Sequence, residues 1–417
     1  MSPTTQQNAV QTFLGALQNG SYYEDPSPVW AALRNAGPIV KLPLGGGAWV
    51  CTTWAGCAAL ARDSRVSAAR IDRMALAFPA ELSSEAQIFS DLVRDQVLFL
   101  DPPRHTQIRK LLNRAFTPEA IARNRARISE IFDHLLDNWI ASGETEIMQN
   151  LVHPFPAVVI ADWMGLPRSD WSRFLTWANA LIHVFNAAAT KIDPEALRGW
   201  LALVEENRAY LDSVVASRSP GGSDLSGLLM EMEEGEVLDR AQLVAQAILI
   251  LLAGHETTRN LIGSGLYWLL SNSCDFREFS DDLALRLAVD ELLRLTSPVT
   301  MMGRIVTEDF EFHGAQLKKG DYTILAWASA NRDPEQFQEP ERMDLRRRNN
   351  PHLAFGAGAH ACLGLHLART EAAIAFERLW MRLPKLRLSD PPPEWNRLVA
   401  IHGPVRLHVT YDRLLPQ

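Results

Sequence analysis

The ten residues FGAGAHACLG, Phe355 to Gly364, constrain this chain more than any other stretch. Three glycines, Gly356, Gly358 and Gly364, surround one cysteine, Cys362, and a helical pattern runs on from Gly364 to Met381. Glycine removes side chains where something flat and bulky must approach the backbone. A cysteine at this place meets the positive end of a helix dipole, which favours its thiolate. The fold must therefore present this loop and helix start to a ligand-sized space.

Other patterns set the frame around that loop. With 417 residues, the chain is long enough for one large globule or two domains. Its 47% hydrophobic content supports a sizeable core. A short amphipathic helix is expected over Val10 to Leu17, and PIVKLPL and AWVCTTW, joined by Gly45, Gly46 and Gly47, read as a hairpin. From Trp54 onward helical periodicity dominates. Helices are expected near Ser83–Leu98, Pro103–Phe116, Pro118–Ala141, Ser169–Phe185, Pro194–Ser217, Asp239–Ser271, Asp281–Leu295 and Gly364–Met381. Asp239 is the expected N-cap of the longest. Strands are expected near Arg304–Phe312, Asp321–Ala328 and Arg406–Thr410. The breaks RSPGGSD, near Ser219, and Pro391 to Pro393 are too short for domain linkers. A mainly α single domain over residues 1–417, with small sheets at its margins, follows.

Several function classes are disfavoured. A net charge of -8 argues against nucleic acid as the main partner. Cys51, Cys57, Cys274 and Cys362 form no C-x-x-C pair, so neither a zinc site nor a disulfide framework is expected. The start, MSPTTQQNAV, lacks signal-peptide features, and no apolar run is long enough to span a membrane. A soluble, reducing, cytoplasmic setting is expected.

Three readings of Cys362 compete: a buried structural cysteine, a catalytic thiol served by His360, and a haem ligand. The bare C-x-G fragment decides nothing; the full F-G-x-G-x-H-x-C-x-G pattern favours ligation. Inside the longest expected helix, AGHETT places an acid, Glu256, beside an alcohol, Thr257. Gly254 there costs helix stability and asks for a reason, one being room for a cofactor or ligand above it. The alternative is that Glu256 and Thr257 are polar residues where the helix surfaces. Glu291 and Arg294 share a helix face and can pair, with Arg342 as an available third member. In DPPRHTQIRKLLNRAF, His105 and Arg109 lie one turn apart, either as a solvated basic face or as partners for buried anions.

FGAGAHACLGLHLAR resembles the haem-binding signature of the cytochrome P450 family in its soluble bacterial form. The likeness recurs at AGHETT, at ELLR, at DPPRHTQIRKLLNRAF and at ANRDPEQF with PERMDLRR following, where Met343 stands before Asp344 in place of the family's common aromatic residue. It implies a helical triangular prism with a minor β region, and a haem b held by the thiolate of Cys362. Phe355, Gly356 and Gly364 would then flank the cofactor, and His105, Arg109, Arg304 and His360 would hold its propionates. By the same match Glu256 and Thr257 deliver protons during dioxygen activation, and Glu291, Arg294 and Arg342 lock the loop before the cysteine. The implied activity is a monooxygenase that hydroxylates or epoxidises a hydrophobic small molecule.

No G-x-G-x-x-G fingerprint occurs, and no fused reductase is expected, so electrons would come from elsewhere; the resemblance implies a separate, acidic ferredoxin or flavodoxin. Arg346, Arg347 and Arg348, with Lys110 and Arg114, form a candidate docking surface; a solvated arginine run is the alternative. The resemblance also implies substrate contacts from Arg70–Leu98, Phe174–Lys191, Ala247–Ala253, Val299–Met302 and the turn near Ile401. Phe78, Phe89, Leu181, Phe185, Leu249, Leu252, Val299, Met301 and Met302 make these segments apolar, and the two methionines suggest a pliable wall. Rival readings are a peroxide-driven enzyme or dehydratase on the same fold, and a non-catalytic haem-binding protein.

Overall fold

Strong caps and long apolar faces carry most of the chain into helices. The computed structural model describes residues 3–44, 46–75, 78, 80–187, 193–216, 238–275, 281–383 and 385–412. The RSPGGSD break and Gly45 lie outside these residues.

The longest helix, Arg240–Ser271, begins at a capping box. Asp239 accepts from the Gln242 N–H at 2.8 Å, and the Gln242 side chain reaches back to the Asp239 N–H. It is buried on almost every side, as its apolar sequence requires. Of the helices Pro118–Ser142, Asp282–Thr296 and Leu365–Arg382, the last two pack against it and the first packs on Leu365–Arg382. Thr117 and Asp281 cap the first two of these as N-cap side chains. Close approach of the long helix and Leu365–Arg382 depends on Gly265, where a β-carbon would stand 2.7 Å from the Phe376 ring.

The helix Pro154–Trp163, which lies against the middle of the long helix, is not expected from the pattern. Nine of its ten residues are buried, so it carries no amphipathic period to read. The helices Ser27–Asn35 and Trp54–Leu60 are also additions, and the first helix extends over Pro3–Asn19. The segment expected as one helix to Leu98 ends at Val93 and resumes as a 3₁₀ turn, Val97–Phe99.

The sheet strands are β1 (Ile39–Leu42), β2 (Ala48–Cys51), β3 (Val66–Ser67), β4 (Met302–Val306), β5 (Phe310–Phe312), β6 (Ala315–Leu317) and β7 (Tyr322–Leu325). The expected hairpin is present as β1 and β2, antiparallel with Ile39 opposite Cys51. The main sheet runs β1-β2-β7-β4-β3, with β2 and β7 parallel. The strand expected over Arg304–Phe312 divides into β4 and β5, and β5 pairs with β6. One apolar cluster joins Phe13, Tyr22 and Trp30 to the sheet, and Tyr22 donates to the Val399 carbonyl at 2.8 Å. The N-terminal helices are thereby fastened to the C-terminal turns.

Candidate active site

The cysteine loop is shaped by two glycines and left open by a third. Gly356 and Gly358 have φ of 67° and 73°, the left-handed region that glycine adopts without strain. At Gly358 a β-carbon would also stand 2.5 Å from the Ala61 carbonyl oxygen. Gly364, the N-cap of Leu365–Arg382, has ordinary φ, and a β-carbon there would meet nothing within 4 Å. The first two glycines thus serve the chain's own packing, while Gly364 leaves space beside the cysteine. Cys362 closes the loop through its N–H to the Phe355 carbonyl at 2.8 Å. Burial pushes its thiol pKa up, against the pull of the Gly364 N–H and the charges of Arg109 and Arg369. Arg369, which sequence reasoning did not single out, lies over the Phe355 ring at 4.7 Å and donates to Asp290 at 2.6 Å.

One side of this loop gathers cations and hydrogen-bond donors. Arg109 donates to the Ala361 carbonyl at 2.5 Å. His105 is buried, with its ring 4.2 Å from that of His360. Neither ring nitrogen of His105 has a hydrogen-bond partner. Arg304, on β4, is buried and bonds the Gly303 carbonyl at 2.8 Å. Burial and the charge of Arg70 push its pKa down to about 10. His360 falls to about 3 through burial and the charges of Arg304, His105, Arg70 and Arg109. The nearby carboxylate, Asp101, is engaged by the Ser67 hydroxyl and the Ala68 N–H. Buried donors without acceptors are costly, and a dianionic edge such as a pair of propionates matches this set. The four residues expected to serve propionates are therefore together. No hydrogen bond joins His360 to Cys362 among the described residues, so the thiol-catalysis reading lacks its base.

On the long helix the acid and the alcohol face different ways. Ala253 is exposed, and Leu252, Gly254 and Thr257 are half-buried, in a stretch whose other residues from Leu243 to Leu266 are buried. Thr257 donates to the Ala253 carbonyl at 2.7 Å. Glu256 is buried and turned inward: one carboxylate oxygen accepts from Arg259 at 2.8 Å and Asn260 at 3.0 Å, and the other has no partner. Burial raises its pKa, opposed by Arg259 and Asn260. Arg259 is braced in turn by His153 Nδ1 at 3.1 Å. Gly254 has a different reason from the one expected. A β-carbon there would stand 3.0 Å from Ile160, so the glycine admits the helix Pro154–Trp163.

The locking cluster also departs from expectation. Glu291 is fully buried and takes two hydrogen bonds from Arg294, both 2.8 Å. Its second charged partner, and the cluster's third member, is Arg347, at 3.1 Å, not Arg342. Arg342 is exposed and pairs with Glu339 at 2.7 Å; only its carbonyl joins the cluster, accepting from Arg294. Arg347 follows a turn at Asp344, whose N–H also bonds Glu291, and this brings the later arginine inward. Arg294 further binds the carbonyls of Asn331 and Pro340, and Asn331 accepts from the Leu353 N–H at 2.6 Å. ANRDPEQF is thus tied to the cysteine loop. The arginine run loses Arg347 as a docking residue, while Arg346 and Arg348 remain exposed.

Of the expected substrate segments, several converge. Phe78, Phe89 and Phe185 form a run of ring contacts that continues to Phe99, which sequence reasoning missed. Val299 and Ile401 meet as a β-bridge. The two methionines part company: Met301 packs into the N-terminal cluster, while Met302 Sδ lies 3.2 Å from Arg70. Strand alternation sends neighbours to opposite faces, so they do not form one wall.

A glycine-shaped cysteine loop with an anion-seeking edge beside it suits a protein that binds a flat anionic cofactor. Residues 83–273 and 283–400 match the family model Cytochrome P450. The polyketide biosynthesis cytochrome P450 PksS of Bacillus subtilis (strain 168) is 33% identical over 94% of this chain and 97% of its own length. Cytochrome P450 monooxygenase PikC of Streptomyces venezuelae is 33% identical over 96% of this chain and 94% of its own. P450BioI, solved in complex with hexadec-9Z-enoic acid ligated acyl carrier protein, superposes with a TM-score of 0.84 at 30% identity, covering 94% of this chain and 100% of that one. The chain belongs to the cytochrome P450 family and is a haem-dependent monooxygenase of the bacterial type. No described helix is long and apolar enough to cross a membrane.

Proposed function

We propose that the Cys362 thiolate would hold the iron of a haem b, whose propionates His105, Arg109, Arg304 and His360 would bind. The observation that carries this is the orphaned pair of His105 ring nitrogens, buried among three other groups that seek an anion. Phe355, Gly356 and Gly364 flank the same cofactor, Gly364 by leaving its side clear. Bound there, haem supplies dioxygen activation and transfer of one oxygen atom to a C–H or C=C bond. Thr257 holds and redirects a proton at Oγ1, switching from the Ala253 carbonyl to the accessible side. Glu256 supplies protons from its unpartnered oxygen, while Arg259, braced by His153, fixes the other. The aromatic run excludes water and receives a hydrophobic small molecule. PksS is named for polyketide biosynthesis and P450BioI was solved with a fatty acyl chain, both in keeping with an apolar substrate.

The single domain takes its electrons from a separate acidic ferredoxin or flavodoxin, docked on Arg346 and Arg348, in the cytoplasm. Turnover with a surrogate electron donor under isotope-labelled dioxygen tests the reaction. One labelled atom in the product is expected. Product oxygen drawn from water, or product formed from peroxide alone, would contradict it.

A further inference from the structure

Arg70 follows β3 and is 5% exposed. One guanidinium nitrogen donates to the carbonyls of Ala68 at 3.0 Å and Leu98 at 3.4 Å; the other lies 3.2 Å from Met302 Sδ. The guanidinium carbon stands 4.6 Å from the centre of the Phe99 ring. These contacts occupy hydrogens but neutralise no charge, and among the described residues no carboxylate pairs with Arg70. Asp101 is taken by Ser67 and Ala68. A buried, uncompensated cation is strongly unfavourable and calls for an anion.

Arg70 stands between two parts of the site. Its charge reaches Arg304 and His360 on one side. On the other, Phe99 stacks with Phe185 at 6.2 Å, and Phe185 meets Phe89 at 5.1 Å. Gln246 of the long helix clamps this segment, accepting from the Val97 N–H at 2.9 Å and donating to the Asp95 carbonyl at 2.7 Å. The aromatic run is thus fixed to the helix that carries Thr257.

We propose that Arg70 anchors a carboxylate of the substrate, whose apolar body lies along Phe99, Phe185 and Phe89. The substrate class is then an amphiphilic carboxylic acid; this rests on the haem-monooxygenase reading of the site. A propionate offers the same chemistry, but His105, Arg109, Arg304 and His360 already serve that edge. Arg70 differs from all four in touching Met302 and Phe99.

The haem-loaded protein is titrated with dodecanoic acid and with dodecan-1-ol, following the haem spectrum. The acid is expected to bind roughly 10-fold or more tightly, the range of a charge-assisted hydrogen bond. Arg70→Gln removes that preference and leaves alcohol affinity and haem content unchanged; Arg70→Lys, which keeps the charge but not the fork, retains part of it. Equal affinities in the parent protein, or a preference that survives Arg70→Gln, would overturn the proposal. Haem loss in Arg70→Gln with the acid preference intact would assign Arg70 to a propionate and overturn it too. Should Arg70→Gln not accumulate, Arg70→Lys decides: an undiminished preference overturns the proposal. A normal thiolate–haem spectrum without acid preference strikes Arg70 alone, whereas absence of that spectrum strikes the haem reading and this proposal together.

Discussion

In the proposed reaction, Thr257 and Glu256 divide the handling of protons by where each side chain points. The hydroxyl lies on the accessible stripe, while the carboxylate is buried against Arg259 and Asn260. Removing the hydroxyl leaves His105, Arg109, Arg304, His360 and Cys362 untouched. Thr257→Ala therefore keeps its haem but loses product, by roughly 10²-fold if the hydroxyl acts as a positioned proton donor. Reductant consumption continues and yields peroxide, measured as product formed per reductant consumed; tight coupling in the variant would remove the role. Residues of this kind were legible because the chemistry fixes their type and spacing, as in AGHETT and FGAGAHACLG. Arg70 was not singled out, since a lone arginine after two alanines carries no spacing signal. The reason for Gly254 was misread for a related cause: whether a glycine admits a ligand or a neighbouring helix depends on what packs opposite it. Here that is Ile160, remote in sequence.

Among elements, the segment from Glu291 to Asn350 behaves as a polar lock beneath the cysteine loop. Glu291 takes bonds from Arg294, Arg347, Asn350 and the Asp344 N–H. Truncating Glu291 would leave Arg294 as a fully buried, unmatched cation, so Glu291→Ala costs about 3–5 kcal/mol in denaturant unfolding. The two candidate arginines separate cleanly. Arg347→Ala costs about 1–3 kcal/mol through lost charge-assisted bonds, whereas Arg342→Ala stays within about 0.5 kcal/mol as an exposed pair. Equal costs would contradict the assignment of Arg347. The lock's helix was readable because its apolar period and its Asp281 cap agree. Its third member was not, because a turn rather than a period decides which arginine folds inward. The helix Pro154–Trp163 escaped for the opposite reason, being apolar on every face.

At the scale of the whole molecule, buried histidines set the response to acid. Burial lowers His153 to about 3 and His402 to about 4, against roughly 6.5 in an unfolded chain. A depressed pKa contributes stability above the unfolded value, and that stability is lost as pH falls toward the folded one. The thermal midpoint should therefore decline as pH drops from about 6.5 toward 4, and His402→Gln should lessen the slope; a midpoint that rises on acidification would contradict this. The proposed docking of an acidic partner acts at the same scale. Arg346→Ala with Arg348→Ala should slow electron transfer and weaken its salt dependence, since exposed charges steer association; an unaltered rate would place the surface elsewhere. The proposed chemistry rests on one atom, the sulfur of Cys362. The direct test is the Soret band of the reduced protein under carbon monoxide, compared with Cys362→Ser. A strongly red-shifted band in the parent protein, absent from the variant, is predicted; a parent without that band, or a variant that retains it, would contradict thiolate ligation by Cys362.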